Sequence, residues 1–196
     1  MAKPAKSPEG AIGGLGDLAA RRRQGPAPVH LWNPPDCGDI DMRIAADGTW
    51  HYCGSPIGRA PLVQLFASVL RKDGDRYVLV TPVEKVGVRV DDAPFLAVEM
   101  QVETKDGEPV LTFRTNVDDH VSLDAEHPLR FERGAAEGLK PYVRVRGDLW
   151  ALVKRALFYD LVALGAVERF GDDTSFGVRS SGVFFPMCPA SEIEGL

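Results

Sequence analysis

Cysteine is scarce: Cys37, Cys53 and Cys188 are the three in 196 residues. So odd and sparse a set builds no disulfide framework, and a reducing cytoplasm is the expected home. Long hydrophobic runs are missing too, since no apolar stretch approaches the roughly 18 residues that would suggest a membrane span. The opening segment MAKPAKSPEGAIGGLGDLAARRRQGPAP has no apolar h-region, and its arginines follow the small residues instead of preceding them. It does not read as a secretory signal. Positive charge is also in deficit, with 23 Lys and Arg against 28 Asp and Glu and a net charge of −5. A nucleic-acid backbone binder is therefore not expected, and any anionic ligand has to be met by local basic groups against the global field.

Catalytic and metal motifs are equally thin. Asp118-Asp119-His120 with Ser122 places carboxylates near an imidazole, but adjacent turn residues do not face each other as a base and its orienter must. No G-x-S-x-G elbow is present. Gly13-Gly14-Leu15-Gly16 lacks both the preceding strand and the following Lys-Ser/Thr of a phosphate loop. His51 and Cys53 stand two apart with Cys37 upstream, yet no paired Cys-x-x-Cys spacing accompanies them, so they predict small buried cysteines and no zinc site. No catalytic residue, metal or cofactor is assigned, and a binding module is expected over an enzyme, with a hydrolase the weakest reading.

What is present is an ordinary globular balance, 44% hydrophobic and 26% charged, enough for one full domain or two small ones. Residues 1–28 read as a flexible arm with a short helix capped by Asp17, and Arg21-Arg22-Arg23 form a small basic cluster on it. Pro34 and Pro35 force an extended approach to the first unit, residues 29–93. There Ile40, Met42 and Ile44 alternate with charged residues as a half-buried strand from Gly38, and Asp47-Gly48 signals a hairpin. Leu62, Leu65, Phe66 and Val69 mark a helix from Pro61, with Arg71 and Lys72 at its C-terminal end and Gly74 stopping it. Two strands follow, at 77–81 and 83–90.

Asp91-Asp92-Ala93-Pro94 is the expected boundary with a second unit, residues 94–196. It holds a long strand from Phe95, a hairpin at Asp106-Gly107, strands at Val110–Thr115, Leu129–Phe131 and Tyr142–Val145, and a closing hairpin at 176–185. A helix capped by Asp148 is predicted to run to about Leu164. Arg59, Leu62 and Leu65 echo Arg146, Leu149 and Leu152 at one constant interval, whereas the two Asp-Gly turns are separated by a shorter one. The fold class is α+β, with mostly antiparallel sheets in two units, the second opening on a similar hairpin and helix.

The ordered strings CGDIDMRIAADGTWHYCGSPIGR, LVQLFASVL, YVLVTPVEK, DDAPF and PYVRVR, spread over roughly residues 30–165, resemble the bacterial family called domain of unknown function 1285. That resemblance implies two packed subdomains with a repeated hairpin-plus-helix motif, the second loosely like pleckstrin-homology folds, and a ligand-binding role in signalling, with a nucleotide-like ligand held between subdomains. It brings no catalytic residues. The residues themselves offer a matching set of polar groups. Arg144 and Arg146 alternate with Val143 and Val145, so both guanidiniums project from one strand face. With Arg59, Glu84, Lys85, Arg114, Asn116 and Tyr142 they form the candidate binding set for a small anion, because guanidinium forks capture carboxylate or phosphate bidentately. Ordinary ion pairing on a solvated strand face is the bland alternative. Trp32, Trp50 and Tyr142 are candidate stacking rings. The partner is thus a small anionic or nucleotide-like ligand, with a protein partner, engaged through a sheet edge and the arginine-rich arm, as the competing class.

Overall fold

The computed structural model describes Ile12, Gly14, residues 27–134 and residues 138–193. They fall into two compact units, Met1–Pro94 with Gly147–Leu149, and Phe95–Arg146 with Trp150–Leu196.

In the first unit a 3-10 turn at Val29–Leu31 leads into β1 (Asp36–Ile44). Met42 and Ile44 turn inward on β1 while Arg43 stays half-exposed, the period-2 pattern of a strand with one buried face. Asp47 accepts the Thr49 N–H at 2.9 Å, and Gly48 takes a φ of 81°, so the chain reverses into β2 (Trp50–Tyr52). A second tight turn, Cys53-Gly54, continues into β3 (Ser55–Pro56). Helix α1 (Ala60–Ser68) has Pro61 in its first turn and buries Leu62, Leu65 and Phe66. Phe66 stacks on Trp50 with ring centroids 6.1 Å apart, which roots the helix in the sheet. Strands β4 (Leu70–Asp73), β5 (Arg76–Val80) and β6 (Lys85–Val90) complete the unit. The sheet order is β3-β2-β1-β6-β5-β4, antiparallel except where β6 runs parallel to β1.

The second unit repeats this order. Strands β7 (Phe95–Lys105), β8 (Glu108–Thr115) and β9 (His120–Ser122) form one meander. Strands β10 (Leu129–Arg133), β11 (Leu139–Arg146) and β12 (Leu149–Val153) form the other. The order is β9-β8-β7-β12-β11-β10, again with last strand parallel to first, Ala151 opposite Phe95 and Val153 opposite Ala97. Asp47-Gly48 and Asp106-Gly107 hold the same place in the two sheets, joining first strand to second. Helix α2 (Arg155–Ala163) follows the second sheet, and β13 (Ala166–Phe170), β14 (Asp173–Ser180) and β15 (Val183–Pro189) form a small third sheet. Ser180 ties that sheet to the main one, its Oγ accepting the Leu111 N–H and donating to the Leu123 carbonyl.

Three expectations need correction. The helix predicted from Asp148 begins only at Arg155, because residues 149–153 are β12, with Leu149, Ala151 and Val153 buried in alternation. An all-apolar run carries no period to separate helix from strand, and the β7 backbone decided it. Leu149 and Leu152 are accordingly strand residues, so their echo of Leu62 and Leu65 is not a structural equivalence. Helix α1 stops at Ser68, and Arg71 and Lys72 lie on β4, where Leu70 faces Leu79 and Lys72 faces Tyr77. Gly74, with a φ of 61°, turns that hairpin and does not cap a helix. Cys37 and Cys53 are exposed, not buried, since Cys53 occupies a left-handed turn position with a φ of 48°. In the arm, Ile12 is buried and Gly14 lies against Thr81 and Val83, while the helix expected after Asp17 lies outside the described residues.

Gly87, central on β6, lies beneath the Arg76 guanidinium where it grips Asp39, and a Cβ there would overlap both groups. Gly87→Ala is therefore expected to lower unfolding stability by about 1–3 kcal/mol through overpacking, measured as a reduced urea midpoint at unchanged m-value.

Candidate functional site

A densely hydrogen-bonded corner of the second unit is the β8–β9 turn. Thr115 is fully buried there, and its Oγ1 accepts the N–H of Asp119 at 3.0 Å and of Val117 at 3.3 Å. Its own N–H donates to the Asp119 carbonyl at 2.8 Å. Asn116 fixes the turn to the start of β7, exchanging two bonds with Leu96: its Oδ1 accepts the Leu96 N–H, and its N–H donates to the Leu96 carbonyl. Asp118 takes a φ of 72°, a conformation that aspartate tolerates better than most residues. The outcome is two consecutive carboxylates held on a rigid corner.

Two arginines reach that corner from different strands. Arg146, at the end of β11, places a guanidinium nitrogen 2.5 Å from Asp119 Oδ2, and its fork lies 5.1 Å from the centre of the Phe95 ring. Arg114, near the end of β8, bonds Glu99 at 2.7 Å and stands 3.8 Å from Asp118. Arg114 holds the Glu99 carboxyl below the usual carboxylate range, with Gln101 adding a second hydrogen bond. Arg146 and Asp119 keep 28% and 37% of their side-chain surface exposed, so solvent and small solutes reach the pair.

Of the predicted set, Arg114, Asn116 and Arg146 gather around this turn. Asn116 acts there as a backbone lock, not as a free amide. Arg144 is half-buried two positions before Arg146. Tyr142 is buried, with the Arg130 guanidinium 5.3 Å from its ring and 4.2 Å from that of Trp150. Arg130 and Trp150 went unflagged, because only the strand register that sets Arg130 opposite Tyr142 brings them in. Trp50, a candidate stacking ring, is 1% exposed and belongs to the core; its buried Nε1 has no hydrogen-bond partner among the described residues.

Arg59, Glu84 and Lys85 belong to the first unit. Arg59 precedes α1 without a side-chain capping bond, and Glu84 lies in the β5–β6 turn organised by Thr81. Partial desolvation by its surroundings, and then the neighbouring Glu84, push the exposed Cys37 thiol up. Lys85 bonds Asp73 at 3.0 Å, beside Arg71, which bonds Asp73 at 2.6 Å and donates to the Val29 and Trp32 carbonyls at 2.6 and 2.7 Å. Lys85 thus works inside a strap that fastens the segment before β1. Among the described residues no three His, Cys, Asp or Glu side chains come together as metal ligands.

Two family models cover most of the chain: the N-terminal domain of the domain of unknown function DUF1285 over residues 27–93, and the C-terminal domain of the same family over residues 94–187. The chain belongs to the DUF1285 family. A crystal structure of a DUF1285 family protein from Silicibacter pomeroyi DSS-3 is similar to it, with 50% identity and a TM-score of 0.83 over 94% of this chain and 100% of that one. A second, from Shewanella baltica OS155, shows 30% identity and a TM-score of 0.52 over 63% of this chain and 91% of that one. No curated protein matches the chain. The matched region includes the β8–β9 turn and both of its arginines.

The strap carries a pH dependence. Hydrogen bonding from Arg71 and then Lys85 outweighs burial and lowers the Asp73 pKa. A depressed carboxyl stabilises the fold fully above the ordinary aspartate range, and that contribution is lost as pH falls through the folded-state value. Asp73→Asn is expected to flatten the acid limb of the stability profile below about pH 4–5, read from urea midpoints taken across that range.

Proposed function

We propose that this chain is a cytoplasmic regulatory or signalling module that binds a small anionic ligand, of carboxylate, phosphate or nucleotide-like chemistry. The observation that carries the reading is the convergence of Arg114 and Arg146 on the consecutive carboxylates of Asp118 and Asp119. A guanidinium poised over an apolar ring and held by a partly exposed carboxylate offers a geometry that a ligand anion can enter by displacing that carboxylate. Exposed ion pairs of this kind contribute only about 0–1 kcal/mol, so an incoming phosphate has little to overcome. Arg144, two positions along the same strand, extends the positive edge. The free, exposed thiols of Cys37 and Cys53 suit a reducing compartment.

A second reading, a protein-interaction module, draws on a separate observation. Helix α2 buries only Leu161 of its nine residues, while Tyr159, Val162, Leu164, Val167 and Phe170 on α2, β13 and the turn between them are all exposed. So much exposed apolar surface on adjacent elements favours a macromolecular contact.

The two readings separate in one pair of measurements. Under the ligand reading, phosphate, nucleotides or dicarboxylates raise the melting temperature, and Arg146→Ala abolishes the rise while the unliganded melting temperature falls little. A flat screen on wild-type protein removes the reading. Under the interaction reading, Val162→Asp with Val167→Asp eliminates an association that sedimentation or pull-down detects in the wild type, and leaves any anion response intact.

A further inference from the structure

The small third sheet holds a cleft that the anion reading does not use. It has a volume of about 760 Å³ and is lined by residues of β14, β15 and their flanks, among them Phe170, Asp173, Thr174, Ser175, Met187 and Cys188. That volume falls within the range of small-molecule sites. The lining is chemically one-sided. Asp173 is its sole charged side chain, and no ion pair to it is found among the described residues. Of the arginines around this sheet, Arg179 holds Glu168, Arg133 bonds Glu192 at 2.8 Å, and Arg169, next to Phe170 on β13, stands opposite Thr174 while Phe170 stands opposite Asp173. Thr174, Ser175 and Ser191 add hydroxyls that accept as well as donate. Phe170 leaves 50% of its surface exposed at the rim, tilted against Phe184 at 6.0 Å, so an aromatic face stands beside the carboxylate.

We infer that this cleft binds a small organic cation, an amine carrying an apolar or aromatic body. An ammonium group gains a charge-assisted bond from Asp173, and the Phe170 ring attracts a cation through its quadrupole. The apolar body of the ligand covers Met187, Pro186 and Pro189. An anion of the same shape meets an unbalanced carboxylate and is rejected, so the site discriminates by charge. Its preference is opposite to that of the Arg114 and Arg146 corner, and it stands independently of that proposal.

Cys188 supplies the readout, because its half-buried thiol opens into the cleft. The probe is phenethylamine, with phenylacetate and 2-phenylethanol as anionic and neutral counterparts of similar shape. The rate of iodoacetamide modification at Cys188 is followed by peptide mass spectrometry on the full chain, with exposed Cys53 as internal control. Phenethylamine is expected to slow Cys188 modification about threefold at about twice its Kd, the occupancy of a single site, while leaving Cys53 unchanged. Asp173→Asn, an exposed and structurally mild change, is expected to bring the amine down to the weak effect of the alcohol. Phe170→Ala weakens the amine without restoring phenylacetate. Equal protection by amine and acid, no protection by the amine, or an amine effect that survives Asp173→Asn each overturns the inference. Arg146→Ala serves as the cross-check: it leaves amine protection intact, so loss of the anion response and loss of this one are told apart.

Discussion

Each six-stranded sheet depends on one parallel pair, β6 against β1 in the first unit and β12 against β7 in the second. Three-stranded meanders are local and form through tight turns, but neither alone buries enough apolar surface to stand in water. Joining first strand to last converts two weak meanders into one sheet with a continuous buried face. The apolar weight of the chain is concentrated near these seams: Met42 and Ile44 on β1, Phe95 and Ala97 on β7, and Ala151 and Val153 on β12 are all nearly inaccessible. Parallel pairing demands a long return path. In the first unit α1 occupies that path, and in the second the β9–β10 connection does, which frees α2 to follow the sheet.

Polar groups in both units are largely committed to one another. Arg71, Arg76, Arg43 and Arg179 each hold at least one carboxylate, and Arg114 and Arg146 do the same at the β8–β9 turn. A protein with five more acids than bases can saturate its basic groups internally. An anion arriving at such a surface competes with an intramolecular carboxylate and gains only the difference between the two. The tether of Asp119 is the short turn pinned by Thr115 and Asn116, so displacing the carboxylate requires its side chain to rotate and not the backbone to unfold.

Much of this architecture was legible from residue order. Alternation placed β1, Asp-Gly pairs placed two hairpins, with β7 and β8 as the arms of the second, and the run from Phe176 to Phe185 placed the β14–β15 hairpin. Failures came where apolar residues run together: Leu149 to Val153 has no polar phase to reveal its strand, and the helical spacing of α1 continues through Val69 with nothing local to stop it. The short strands β3 and β9 left no periodic trace. Arg114 and Arg146 could be nominated from their strand positions, but their partners could not. Asp118 and Asp119 read as a solvated loop until the Thr115 turn aimed them, and Arg130 with Trp150 required strand register. Sequence separation hides such pairs, because the contacts that define a site are long-range and the signals in a linear chain are short-range.

Trp50 is sealed in the first unit against Phe66 with its indole N–H unbonded, whereas Trp150 in the second lies under the Arg130 guanidinium. The two indoles consequently inhabit different dielectric surroundings, one dry and one beside a fixed charge. Once half-buried Trp32 is replaced by phenylalanine, their emission spectra separate, and fluorescence excited at a single wavelength reports on the two halves of the chain as distinct signals.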